Sequence, residues 1–240
     1  MKVLFIGNSY TYYNEMPKLL EAIANGNGKS LETHQVTKGG WYLHKYLDEQ
    51  NEFQDKLMEL IRENHYDACF LQEQSMCPYL AYERFADGAN RLMKLMEGVV
   101  DEFILYQTWA RKEGSPSLEK HSLTPEQFGE GIVLAYERFG QEAGLRVSSV
   151  GRKFAAFRKI DDETDLYNED KSHPSYAGSY LAAATLFATI FDEDPTTLTF
   201  TGTLEERHAE VFLEAARAAV FETPEIPREY KVSSVGVGGK

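Results

Sequence analysis

Thiols are nearly missing: the chain of 240 residues has only Cys69 and Cys77. Their spacing fits neither a disulfide-stapled scaffold nor a paired-cysteine zinc motif, and both are expected to be reduced. No apolar run reaches membrane-spanning length. The opening Met1-Lys2-Val3-Leu4-Phe5-Ile6 meets Gly7-Asn8 too soon for a signal-peptide core and reads as a buried strand. A cytoplasmic protein without membrane contact is therefore expected. Basic residues are the minority, 25 Lys and Arg against 38 Asp and Glu for a net charge of −13. With no basic stripe to displace counterions, a nucleic-acid partner is not expected, and polyanions are poor substrates. His34, His44, His65, His121 and His208 form no helical metal pair. Neither metal nor organic cofactor is expected. Repeats are lacking too, and low complexity is confined to the Gly-rich end. One domain over residues 1–230 and a flexible tail over 231–240 are expected.

What is present is ample core-forming material, 42% hydrophobic and 12% aromatic. Short apolar runs alternate with helical periodicity. Val3 to Ile6, Leu31 to Thr37, Ala68 to Leu71, Phe103 to Tyr106 and a weak Leu145 to Val150 read as strands. Between them, Met16, Leu19, Leu20 and Ile23, then Phe53, Leu57, Leu60 and Ile61, then Phe85, Leu92 and Met96, and then Phe128, Ile132, Ala135 and Phe139 line helix faces. Leu181, Ala184, Phe187 and Phe191 mark a penultimate helix, and Leu204, His208, Val211, Phe212 and Ala215 a last one. The acidic stretch Asp161 to Asp165 reads as a solvated loop. This alternation predicts an α/β fold: a three-layer α/β/α sandwich around a flavodoxin-like parallel sheet of about five strands. In such sheets the working loops lie at the strands' carboxyl ends.

Two segments carry chemistry. The first strand runs into Gly7-Asn8-Ser9-Tyr10-Thr11, where a tight turn can present a serine hydroxyl above the sheet. Near the other end, Asp170-Lys171-Ser172-His173-Pro174 can set a carboxylate against one imidazole nitrogen and leave the other for a nucleophile. Each alone also fits an ordinary turn or helix cap.

Together they resemble the SGNH (GDSL-type) hydrolases. Gly7-Asn8-Ser9 is similar to that family's first block, with Asn8 in place of the commoner Asp, and Asp170-Lys171-Ser172-His173 to its last. Lys38-Gly39-Gly40-Trp41 is similar to the glycine block, with Gly40 preferred over Gly39 as donor to an oxyanion hole. The third block departs from the pattern: Leu71-Gln72-Glu73-Gln74-Ser75 puts Gln74, with Gln72 as fallback, where the family has Asn. An amide donor is kept on a stem one methylene longer. The resemblance implies a serine esterase: Ser9 as nucleophile, His173 as base, Asp170 as orienter, and Ser9, Gly40 and Gln74 around the oxyanion.

Aromatic residues crowd the expected rim: Tyr10, Tyr12 and Tyr13, Trp41 and Tyr42, Trp109 and Tyr176. Flat amphipathic faces suit sugar rings, so Tyr10, Trp41, Trp109 and Tyr176 are candidate substrate contacts for a small or carbohydrate ester. Packing explains any one of them equally well. Glu73 reads as a substrate contact or as the cap of a neighbouring helix, and Cys77 as incidental. The long polar loop Ala110 to Thr124 has the length of a lid. Two other readings stay open: a flavodoxin-like phosphate- or nucleotide-binding module, which lacks a phosphate-loop glycine pattern here, and a catalytically impaired scaffold that binds glycans if Gln74 fails as donor.

Overall fold

Strand β1 (Lys2–Gly7) is the hub of the sheet, because its apolar residues face both ways and need cover on both sides. It pairs in parallel with β2 (Glu32–Thr37) and β3 (Tyr66–Leu71), so that Ile6 stands level with Val36 and Leu71. Strands β4 (Val100–Tyr106) and β5 (Arg146–Ser148) extend the sheet to the order β2-β1-β3-β4-β5. The computed structural model describes residues 1–161, 164–200, 202 and 212–217.

Successive strand residues point to opposite faces, and the two cores follow that alternation. Val3, Phe5, Phe70, Ile104 and Tyr106 face α2 (Met16–Gly26), α8 (Val150–Ile160) and α9 (Tyr176–Phe191). Leu4, Ile6, Cys69, Leu71 and Leu105 face α3 (Glu52–Glu63), α5 (Tyr82–Leu95) and α7 (Pro125–Ala143). The expected three-layer sandwich is present. Helix α9 is apolar almost all round and accordingly buried, its alanines letting α2 and α8 approach.

Two differences from the periodicity have physical causes. The expected fifth strand stops at Ser148, since the chain turns at Ser149 into α8, a helix absent from the periodicity because its stripe Val150, Phe154 and Phe157 is interrupted by Arg152 and Lys153. The loop 110–124 holds a helical turn, α6 (Pro116–His121), started by Pro116. Leu204, His208 and Val211 of the expected last helix, part of the acidic stretch 161–165, and the tail 231–240 lie outside the described residues. Phe212 and Ala215 are helical and buried, with Phe212 stacked on Phe157. No helix among the described residues is long and apolar enough to cross a membrane.

Candidate active site

The carboxyl end of β1 needs a glycine. A Cβ on Gly7 would stand 2.5 Å from Thr11 Oγ1 and 2.7 Å from Gln72 Oε1. The closeness is used: Gln72 Oε1 accepts from the Asn8 N–H at 2.8 Å and from Thr11 Oγ1 at 2.9 Å, while Gln72 Nε2 donates to the Glu73 carbonyl. Asn8 Oδ1 caps the turn that follows by accepting from the Tyr10 N–H at 3.1 Å, and its Nδ2 donates to the Trp41 carbonyl at 3.0 Å. Ser9 opens the short helix α1 (Ser9–Tyr12) on this braced corner. Buried Gln72 is thus committed to holding the corner and is not among the residues that line the pocket.

His173 Nε2 lies 2.8 Å from Ser9 Oγ, although the two residues are 164 positions apart. The other ring nitrogen, Nδ1, bonds to Asp170 Oδ2. The second carboxylate oxygen, Oδ1, accepts from the N–H groups of Ser172 and His173, each at 2.9 Å. Burial raises the Asp170 carboxyl, but the imidazole and the two N–H donors outweigh it and hold the group below the usual carboxylate range. The turn is fastened from below: Trp109 Nε1 donates to the Ser172 carbonyl at 3.1 Å, and Tyr10 Oη sits 2.7 Å from Ser172 Oγ. Tyr13 stacks on the imidazole, centroids 4.3 Å apart and planes 7° apart.

Beyond β2, Gly40 has φ +71°, a conformation glycine adopts without strain. Gly39, Gly40 and Gln74 line the pocket with Ser9 and His173. Gln74 Oε1 accepts from the N–H groups of Met76 at 2.9 Å and Cys77 at 3.2 Å. Two donors on one oxygen fix the orientation of the amide and leave its NH₂ end to donate. Beneath it lies Glu73, 0% exposed, accepting from the Leu43 N–H at 3.2 Å and the Gln74 N–H at 2.5 Å. Glu73 thereby caps the 3₁₀ turn Leu43–Leu47 and joins the glycine loop to the end of β3. It does not line the pocket. Burial lifts its pKa to about 8 against these donors and the charge of Arg84.

The rim aromatics divide. Tyr12 and Tyr13 line the pocket. Tyr10 also reaches its wall but is 4% exposed and bonded to Ser172. Trp109 is fully buried between Tyr10 and Phe154, Trp41 packs on Tyr46 and Phe53, and Tyr176 packs against the core at the start of α9. None of these three is among the residues that line the pocket; their rings pack against neighbouring side chains instead. The sequence reading missed Arg111 and Ser117 of the long loop, which complete the wall of a cavity of about 440 Å³. Arg111 Nη1 donates to Ser117 Oγ at 3.0 Å and Nη2 to Ser75 Oγ at 2.9 Å. A lone arginine in a polar loop carries no motif; only its place after the carboxyl end of β4 could have pointed to it. Among the described residues, no cluster of three or more His, Cys, Asp or Glu could hold a metal.

No protein-family profile and no curated protein matches this chain. Solved structures do match. A candidate SGNH hydrolase from Slackia heliotrinireducens is 26% identical, with a TM-score of 0.69 over 79% of this chain and 98% of its own. The fold is that of the SGNH hydrolases. A DUF4886 family protein from Bacteroides uniformis superimposes with a TM-score of 0.81 at 17% identity over 92% of this chain and 95% of its own. An acetyl xylan esterase, AlAXEase, gives 0.61 at 12% identity over 79% of this chain and 100% of its own.

Proposed function

We propose that this chain is a serine esterase that hydrolyses carboxylic esters through an acyl-enzyme on Ser9. The observation that carries the reading is the unbroken contact from Asp170 through both nitrogens of His173 to Ser9 Oγ. In the proposed cycle, Ser9 Oγ attacks the ester carbonyl as His173 Nε2 takes its proton. Asp170, ionised and held by two N–H groups, keeps the imidazole in the tautomer that accepts at Nε2 and stabilises its cation. The tetrahedral oxyanion is received by the N–H groups of Ser9 and Gly40 and by the NH₂ of Gln74. His173 then returns the proton to the leaving alcohol. Water, activated by the same imidazole, attacks the acyl-enzyme and releases the acid.

The proposed substrate is a small acyl ester of a carbohydrate, with acetate as the first acyl group to try. Tyr12 and Tyr13 offer faces to a sugar ring, and acetyl xylan esterases are among the proteins sharing the fold. A phosphate- or nucleotide-binding site would have no use for the contact between His173 and Ser9. The test is covalent: a fluorophosphonate should label the wild-type protein at Ser9 and neither Ser9→Ala nor His173→Ala, with 4-nitrophenyl acetate turnover lost in parallel. A wild-type protein that is neither labelled nor active on such esters would end the esterase reading.

A further inference from the structure

The pocket holds a cation that ester hydrolysis does not use. Arg111 follows β4, on the side of the sheet away from the glycine loop, and lines the same cavity as Ser9 and His173. Its hydrogen-bond partners are neutral: Nη1 and Nη2 each donate to one serine hydroxyl, Ser117 on the long loop and Ser75 after β3. Its Nε is buried without a hydrogen-bond partner, and Arg111 forms no salt bridge with any described residue. In a chain with 38 acidic residues to 25 basic ones, an arginine left beside two hydroxyls stands out. Among the described residues, the only other ionisable groups lining the cavity, apart from tyrosine hydroxyls, are Asp170 and His173, and Asp170 is bound to His173 and to backbone N–H groups.

A guanidinium has five N–H donors in a rigid plane. Two serine contacts hold that plane in position and still leave one hydrogen on each terminal nitrogen for a further acceptor, and a carboxylate has two oxygens to offer them. We propose that Arg111 is the binding site for a carboxylate carried by the ester substrate, so that the preferred substrates are acidic esters, such as acyl esters of an acidic sugar. This rests on the esterase reading and narrows it. Arg111 acts by binding and orienting: a single carboxylate gains a desolvated, charge-assisted pair, whereas a polyanion would still meet the repulsion of the acidic surface. Ser75 is next to Gln74, so docking an anion on Arg111 also bears on the loop that carries the proposed oxyanion donor.

The experiment compares esters matched in shape and differing in charge, with the carboxylate on the alcohol in one pair and on the acyl group in the other. These are 4-acetoxybenzoate against 4-acetoxybenzamide, and mono-(4-nitrophenyl) succinate against 4-nitrophenyl butyrate. Wild-type protein should favour the carboxylate member of at least one pair in kcat/KM by on the order of ten- to a hundredfold. Arg111→Gln should bring that ratio close to one, and Arg111→Lys should restore part of it. The proposal is overturned if neither carboxylate ester is preferred, or if Arg111→Gln lowers both members of a pair in the same proportion, as a purely structural tie between Ser75 and Ser117 would. Should no ester be turned over and Ser9 resist labelling, the esterase reading falls by itself. Calorimetric binding of 4-acetamidobenzoate against 4-acetamidobenzamide, to wild-type and Arg111→Gln proteins, then decides the anion site: carboxylate-selective binding lost with Arg111 sustains it, and its absence overturns it.

Discussion

The two halves of the pocket rim are built on different principles. Around β1 and β2, nearly every polar group near Ser9 has a named partner: Asn8 reaches the glycine loop, Gln72 holds the Asn8 N–H, and Glu73 ties Leu43 to Gln74. Beyond β4, buried side-chain atoms of Gln107, Arg111 and Ser115 lack a hydrogen-bond partner among the described residues. A fully satisfied network is rigid, while unmet donors and acceptors mark a place where a ligand or water completes the structure. Under the proposed esterase reading, the reaction belongs to the tied half, to which Trp109 and Tyr10 fasten the His173 turn, and substrate choice to the untied one.

The largest effect that would break this division is loss of the nucleophile or base. Ser9→Ala and His173→Ala should each lower kcat on the order of 10⁴-fold or more without changing the fold, checked by steady-state kinetics and circular dichroism. If either variant keeps most of its activity, the tied half does not do the chemistry. Gln74→Glu tests the same half more finely. Glutamate keeps an oxygen for the Met76 and Cys77 N–H groups but removes the NH₂ donor. Loss of one oxyanion donor should lower kcat on the order of 10²–10³-fold with little change in thermal midpoint. A variant that retained full kcat would show that Gln74 only shapes the turn, leaving the oxyanion to backbone donors alone.

The contrast also explains what the sequence could show. Short apolar strands separated by amphipathic helices made the three-layer sheet legible, because burial on both faces of a parallel sheet writes itself as apolar runs. Helix α8 escaped because Lys153, buried with no hydrogen-bond partner for its Nζ, looks like a surface residue in any hydropathy pattern. Ser9 and the Asp170-to-His173 turn were readable as local spacings at strand and helix ends. Trp109 and Trp41 were not: a ring three or four residues beyond a strand can face the core or the pocket, and only tertiary packing decides. Arg111 lies on a loop whose path depends on Ser75 and Ser117, contacts that no local pattern encodes.

The smallest effect bears on how firmly the tied half is held. The Glu73 pKa rises from 4.5 to about 8, chiefly through burial, with the Gln74 and Leu43 N–H groups and the Arg84 charge opposing, while the Tyr136 hydroxyl accepts from the Glu73 N–H. A folded-state pKa above the unfolded one means that the native state binds the extra proton. The associated stability is fully present below about pH 4.5 and is lost as pH climbs through about 8. Lys153, lowered from 10.5 to about 7 by burial and the nearby Arg152, contributes in the opposite sense, stability growing as pH rises from about 7 towards 10.5. The window between about pH 5 and pH 7 therefore isolates Glu73 from Lys153. Denaturant unfolding across it should show wild-type stability falling more steeply than that of Glu73→Gln, by on the order of 1 kcal/mol per pH unit. Equal slopes would mean that Glu73 is ionised in the folded protein. The glycine loop would then be held to β3 by a charged clamp, with the Leu43 and Gln74 N–H groups bonded to a carboxylate at neutral pH.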